Sequence, residues 1–300
     1  MYIFTRLFVA ASFALMMSTS IAQSDTPDDV EELKITALEA LMSAPPERAL
    51  PLVSKVIAGE NSDEVKERAL FVLSQIDLPE AQALLLETAR QGSGELRLQA
   101  IRMIGIGGAP AALSGLAELY RAGDGDVREA VLEAYLIADD SNAVYEIAAS
   151  AESEEDFEDA VDILAAMDAR EELRMLRNQA GISESLIEAY AISGDFETLR
   201  ELSMDGSNPQ QQAQAIEALG IVGGAEIDAT LVEIYRSSDS PDIREAALDS
   251  LLISGHDEGV LQLYQSSQDP VEKRQLLEYL VMMDSEAIWE VIGSALDGER

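Results

Sequence analysis

Residues 125–149 read GDVREAVLEAYLIADDSNAVYEIAA, and this stretch decides the fold. A cap at Asp126 and a helix from Val127 are expected, because a short acidic side chain accepts hydrogen bonds from free amides in a first turn. Apolar residues fall at Val127, Val131, Leu132, Tyr135 and Leu136, along one helical face. Glu129 and Glu133 lie on the other side. The run 138–142 (ADDSN) stops the helix, since such side chains favour turns. Val144, Ile147 and Ala148 begin a second apolar stripe. Two helices this short cannot bury both stripes alone, so the pair needs neighbours.

Variants of the stretch supply them. Aligned first helices start at Leu33, Val65, Leu96, Val127, Asp156, Ile182, Gln211, Ile243 and Val271. Successive anchors lie 26 to 32 residues apart, in the range of helical repeat arrays. Eight residues after each anchor from the second onward stand Leu73, Ile104, Tyr135, Leu164, Tyr190, Leu219, Leu251 and Tyr279, which a stack would join into one internal ladder. Four after the anchor the side chains are mostly small: Ala37, Ala69, Ala100, Ala160, Ala215 and Ala247. Small residues there let helices approach closely.

The stretches DVREAVLEAY and DIREAALDSL resemble the first helix of HEAT-like repeats, in the short form also found in phycobilisome lyases. The turn of that family is similar to Gly105-Ile106-Gly107-Gly108-Ala109-Pro110, and nearly so to residues 220–225. The resemblance covers the mature chain, most clearly at 61–150 and 209–256. It implies an all-α superhelix, an α-solenoid of about nine HEAT-like pairs over residues 23–300, in an exported bacterial member. The thirty-four-residue period and Trp/Gly/Tyr/Pro pattern of a tetratricopeptide array are missing.

Residues 1–22 read as a signal peptide. Arg6 gives a positive start, Leu7 to Met17 an apolar run, and Ser20-Ile21-Ala22 a cleavage site before Gln23. The expected location is periplasmic or secreted, with no membrane insertion after cleavage. The chain contains no cysteine, so disulfides cannot brace it there. It carries 57 acidic and 20 basic residues, a formal charge of −37. Losing Arg6 with the signal makes it −38. Nucleic acid and anionic lipid would meet net repulsion. The expected partner is a protein with a basic patch.

Later boundaries follow from prolines. Pro45-Pro46 breaks the first helix, and Pro51 implies a kink or a late start in its partner. Pro79 and Pro110 open second helices, while Pro209, Pro241 and Pro270 each precede a first helix. Residues 150–159 (SAESEEDFED) read as a loop and a polar helix start, and Ser285 to Leu296 as the last helix.

No residue set points to catalysis, a cofactor or a metal. His256 is the sole histidine and reads as a turn residue. Asp124-Gly125-Asp126 and Asp139-Asp140 look like pieces of calcium loops, but the residue where an EF-hand needs its bidentate Glu is Tyr135. Lys66, Arg97, Arg128 and Arg244 share the place after the anchor, and Asp77, Asp139 and Asp168 share another twelve after it. Both sets read as braces between repeats. Tyr120, Tyr235 and Tyr264 recur near second-helix ends and read as core. The reading is a non-enzymatic protein-binding scaffold or adaptor. A lyase-like enzyme and a calcium-responsive envelope protein are the alternatives from other classes.

Overall fold

The structure is a computed structural model that describes residues 27–284 and 288–297. The proposed signal peptide, residues 1–22, and Ser285 lie outside the described residues.

Helices follow one another in pairs. The first three pairs are α1 (Pro27–Leu41) with α2 (Pro46–Ala58), α3 (Asp63–Ser74) with α4 (Pro79–Gln91), and α5 (Glu95–Gly107) with the two pieces α6 (Pro110–Leu113) and α7 (Leu116–Ala122). Next come α8 (Gly125–Ala138) with α9 (Ser141–Ala149), α10 (Glu154–Ala166) with α11 (Arg170–Ala180), and α12 (Glu184–Ile192) with α13 (Phe196–Met204). The last are α14 (Pro209–Val222) with α15 (Ala225–Ser237), α16 (Pro241–Ser254) with α17 (Asp257–Ser266), and α18 (Pro270–Met282) with α19 (Ile288–Asp297). Each second helix lies on the first helix of the next pair, and first helices also pack on one another in sequence order. This is an α-solenoid of HEAT-like pairs.

The ladder forms as its spacing requires. Leu73, Ile104, Tyr135, Leu164, Tyr190, Leu219, Leu251 and Tyr279 are all buried. Ala69, Ala100, Ala160, Ala215 and Ala247 are fully buried, but Ala37 is exposed. Leu33 and Val271 are both 69 % exposed, in the first and last pairs. In α1 the buried residue is Leu38, and α1 packs on α3. An internal position keeps its burial only while a repeat stands on both sides of it.

Local corrections follow from capping. Asp124, not Asp126, caps α8: its carboxylate accepts from the Val127 amide at 3.2 Å. That is the N-cap to third-residue reach, so the helix starts at Gly125 and Asp126 falls inside its first turn. The turn after α8 is only Asp139 and Asp140, and Leu136 is exposed. Asp139 takes a left-handed backbone (φ 57°), and Asp140 caps α9 through the Ala143 amide at 3.1 Å. Pro46, at the first position of α2, starts that helix early, so Pro51 does not delay it. Pro110 to Arg121 is not one helix. It breaks at Ser114-Gly115, where a methyl on Gly115 would stand 2.6 Å from Leu86. Leu113, Leu116, Leu119 and Tyr120 are nonetheless all buried along the two pieces.

The family-like turn at Gly105–Pro110 is mostly helix, since Gly105 and Gly107 belong to α5. Gly105 is there for contact: a methyl on it would lie 2.5 Å from the Ala134 carbonyl oxygen of α8. Gly220 of α14 meets Ser250 of α16 the same way, at 2.6 Å. The turn proper is Gly108, at φ 62°. A contrast tests this. Alanine is the better helix former by about 1 kcal/mol, yet Gly105→Ala is expected to destabilise by about 1–3 kcal/mol through overpacking. Gly125→Ala, with no atom within 4 Å of its methyl, is expected to be neutral or mildly stabilising. Urea unfolding that ranks the two the other way would refute the close approach.

Candidate interaction surface

Of the basic residues after the anchors, Arg128 and Arg244 form braces to acids, though not to the turn aspartates, and Lys66 has no ion pair among the described residues. Arg128 of α8 donates through Nη1 to Asp156 Oδ1 of α10 at 2.7 Å. Tyr120 of α7 donates to the same oxygen at 3.4 Å, and Ser153 Oγ donates to Asp156 Oδ2 at 2.7 Å. The Arg128 guanidinium lies 5.7 Å from the centre of the Tyr120 ring. The same clasp recurs toward the C-terminus. Arg244, Tyr235 and Ser267 all converge on the Glu272 carboxylate, and Arg244 stacks 4.4 Å from the Tyr235 ring centre. Each clasp ties three successive pairs together, α7 to α8 to α10 and α15 to α16 to α18. Arg97 instead donates to the Ala89 carbonyl at 3.1 Å. Asp139 and Asp168 do backbone work as left-handed residues, because an aspartate tolerates that conformation. Tyr264 packs, partly buried, against the core, with Lys273 5.0 Å over its ring.

The clasps fix protonation. The Ser153 hydroxyl, with Arg128 and Tyr120, holds Asp156 below the usual carboxylate range against the opposing effect of burial. Burial, then the Asp156 charge, pushes the Tyr120 phenol up to about 12. Burial and the hydrogen bond to Glu272 do the same to Tyr235, also to about 12. Two ladder tyrosines are held alike: Tyr135 and Tyr190 donate to the Leu113 and Leu173 carbonyls, both at 3.2 Å. Burial pushes each to about 12.

A groove of about 690 Å³ opens where α6 and α7 stand apart from α9. Tyr120, Arg128, Tyr135 and Asp156 line it, with Arg121 and Ile147 on opposite walls. Asp156 already accepts three hydrogen bonds, and the Tyr120 and Tyr135 phenols are pushed up to about 12; Asp140, Glu146 and Glu152 also line the groove. Asp156, Tyr120 and Tyr135 are therefore not poised to move a proton near neutral pH.

His256 precedes α17, with Nδ1 3.3 Å from Asp228 Oδ2. Asp228 is buried, and its other oxygen has no hydrogen-bond partner among the described residues. The Asp124 and Asp140 carboxylates are engaged as helix caps.

The feature that sequence reading missed lies on the outside. Ten residues after the anchor stand Ile106, Ile137, Ile192, Ile221, Ile253 and Val281, each between 41 and 69 % exposed. They sit at the C-terminal ends of α5, α8, α12, α14, α16 and α18. The last four belong to consecutive first helices. One turn earlier, on the same helix face, come Glu133, Glu188, Glu217 and Asp249. Glu188 and Glu217 are exposed and form no ion pair among the described residues. A row of aliphatic side chains thus runs beside a row of carboxylates.

Residues 50–136 match the family model of HEAT repeats. No curated protein matches the chain. Among solved structures, human deoxyhypusine hydroxylase in complex with glycerol is similar at 18 % identity, covering 90 % of this chain and 93 % of that one, with a TM-score of 0.33. The complex of CpcE and CpcF of phycocyanin lyase from Nostoc is similar at 15 % identity, covering 80 % and 95 %, also with a TM-score of 0.33. Likenesses of that size say nothing of activity. Residues 50–136 are thus similar to HEAT repeats, and the helix pairs on both sides of them continue the same stacking.

Proposed function

We propose that the protein is an exported scaffold or adaptor that binds another protein along its outer first-helix face and catalyses no reaction itself. The observation that carries this reading is the exposed aliphatic row of α12, α14, α16 and α18. Exposed apolar residues scattered singly need no explanation, whereas one exposed aliphatic position repeated on four successively packed helices supports an interaction site. The surrounding charge supports a protein partner with a basic patch over nucleic acid or anionic lipid. Export rests on residues 1–22, and the mature chain would begin at Gln23. Crosslinking in the intact cell envelope, followed by mass spectrometry, tests the reading. A partner captured by a species whose mass corresponds to residues 23–300 is the expected result. Capture of no partner, or a species in the envelope that retains residues 1–22, would refute it.

A further inference from the structure

The row has a direction and a period, and these define what can lie on it. Ile192, Ile221, Ile253 and Val281 occupy one position on four successive first helices. Packed helices stand about 8–10 Å apart, so the four side chains repeat at about that interval across the helix layer. An α-helix crossing the layer repeats its own surface every seven residues, a rise of about 10.5 Å. Four contacts then need a helix of about 22 residues with apolar side chains seven apart. The lane beside the row is acidic. Glu188, Glu217 and Asp249 each stand one turn from their isoleucine, and Glu184 and Glu245 lie exposed on the same helices. No arginine or lysine neutralises Glu188 or Glu217 among the described residues.

We infer that this face takes a basic amphipathic helix of a partner protein, its heptad-spaced apolar residues seated along Ile192, Ile221, Ile253 and Val281 and its Lys or Arg residues over Glu188 and Glu217. The inference rests on the scaffold reading and adds the occupant, the face and the register. The charge argument selects against the other occupants. A second copy of this chain would bring its own carboxylates to the row, and an anionic lipid surface would be repelled.

The test uses the whole exported chain and a labelled synthetic helix of leucine and lysine, with leucine at every seventh position. The comparison peptide has the same composition in scrambled order. Fluorescence anisotropy is expected to show binding of the heptad peptide at least ten-fold tighter than the scrambled one, weakening as salt rises. The Ile192→Ser/Ile221→Ser/Ile253→Ser triple variant replaces exposed side chains only, and circular dichroism verifies its fold. It is expected to lose ten-fold or more in affinity for the heptad peptide and little for the scrambled one. Glu188→Gln/Glu217→Gln is expected to flatten the salt dependence. Equal binding of both peptides, or a triple variant that binds as wild type does, would overturn the inference as mere polyanion attraction. Self-association abolished by the triple variant would overturn it in favour of a second copy. Binding to phosphatidylglycerol vesicles through the row would overturn it in favour of a membrane. If any of these occurs while an envelope partner is still captured, the scaffold reading stands and only the helix assignment falls.

Discussion

Arg174→Ala is expected to destabilise the protein by about 3–5 kcal/mol, because it strands a buried carboxylate. The Asp195 side chain is 1 % exposed while Arg174 is 43 % exposed. The guanidinium grips it with two bonds, Nη2 to Oδ1 at 2.6 Å and Nε to Oδ2 at 2.7 Å. Thr198 adds a hydroxyl bond at 2.8 Å, and Asp195 caps α13. Burial alone would raise the Asp195 pKa, but the Arg174 and Thr198 hydrogen bonds pull it below the usual range. In the wild type this group therefore adds stability above the unfolded carboxylate value and loses it as pH falls through its own lower value. Without Arg174, burial is opposed only by the Thr198 hydrogen bonds, so the Asp195 pKa rises. The variant's deficit should then shrink between pH 7 and pH 5. Asp195→Asn removes the charge but keeps a capping side chain, and leaves Arg174 free to reach water, so a smaller loss of about 1–3 kcal/mol is expected. Urea unfolding at the two pH values decides it. An Arg174→Ala deficit that is small, or that does not change with pH, would contradict the pairing.

Alkaline unfolding should arrive before the buried tyrosines ionise. Tyr120, Tyr135, Tyr190 and Tyr235 are each held near 12, and Tyr279 higher still, all chiefly by burial. Unfolded tyrosine ionises near 10, and one pKa unit is worth about 1.4 kcal/mol, so each group withdraws about 3 kcal/mol as pH rises from 10 to 12. The sign is that of a raised group: its stabilisation is whole below the unfolded value and is lost toward the folded one. A few such losses together match the about 5–15 kcal/mol stability of an ordinary domain. Helical circular dichroism and tyrosinate absorbance are expected to change together between pH 10 and pH 12. Absorbance of these tyrosines rising around pH 10 with the helices intact would show that they are not held neutral by the core.

The architecture was legible because its cause is periodic. A residue eight places into each first helix faces the same interior, so Leu73 through Tyr279 could be picked from the sequence. Ends were less legible. Leu33, Ala37 and Val271 satisfy the pattern in sequence yet are exposed, since burial at those places depends on a neighbouring repeat and not on the residue. Glycine was misread in kind. Gly105 and Gly220 look like turn residues, but both lie inside helices where a backbone or side chain from the next pair leaves no room for a methyl. The Tyr–Arg–acid clasps were half legible. Their arginines stood in register, but the acids they reach, Asp156 and Glu272, come 28 residues later and at different offsets from their anchors. The outer row was hidden for a simpler reason. An isoleucine such as Ile221 follows buried Leu219 by two positions, which reads as more core in a linear scan. At 100° per residue it stands far round the helix, on the outward face.

The most direct measurement is hydrogen exchange of the chain alone and in complex with the proposed partner, once crosslinking has captured it. Added protection is expected at the C-terminal ends of the four helices, over residues 188–194, 217–223, 249–255 and 278–283. Protection confined to the second helices, above all to the walls of the groove between α7 and α9, would contradict binding through the outer row.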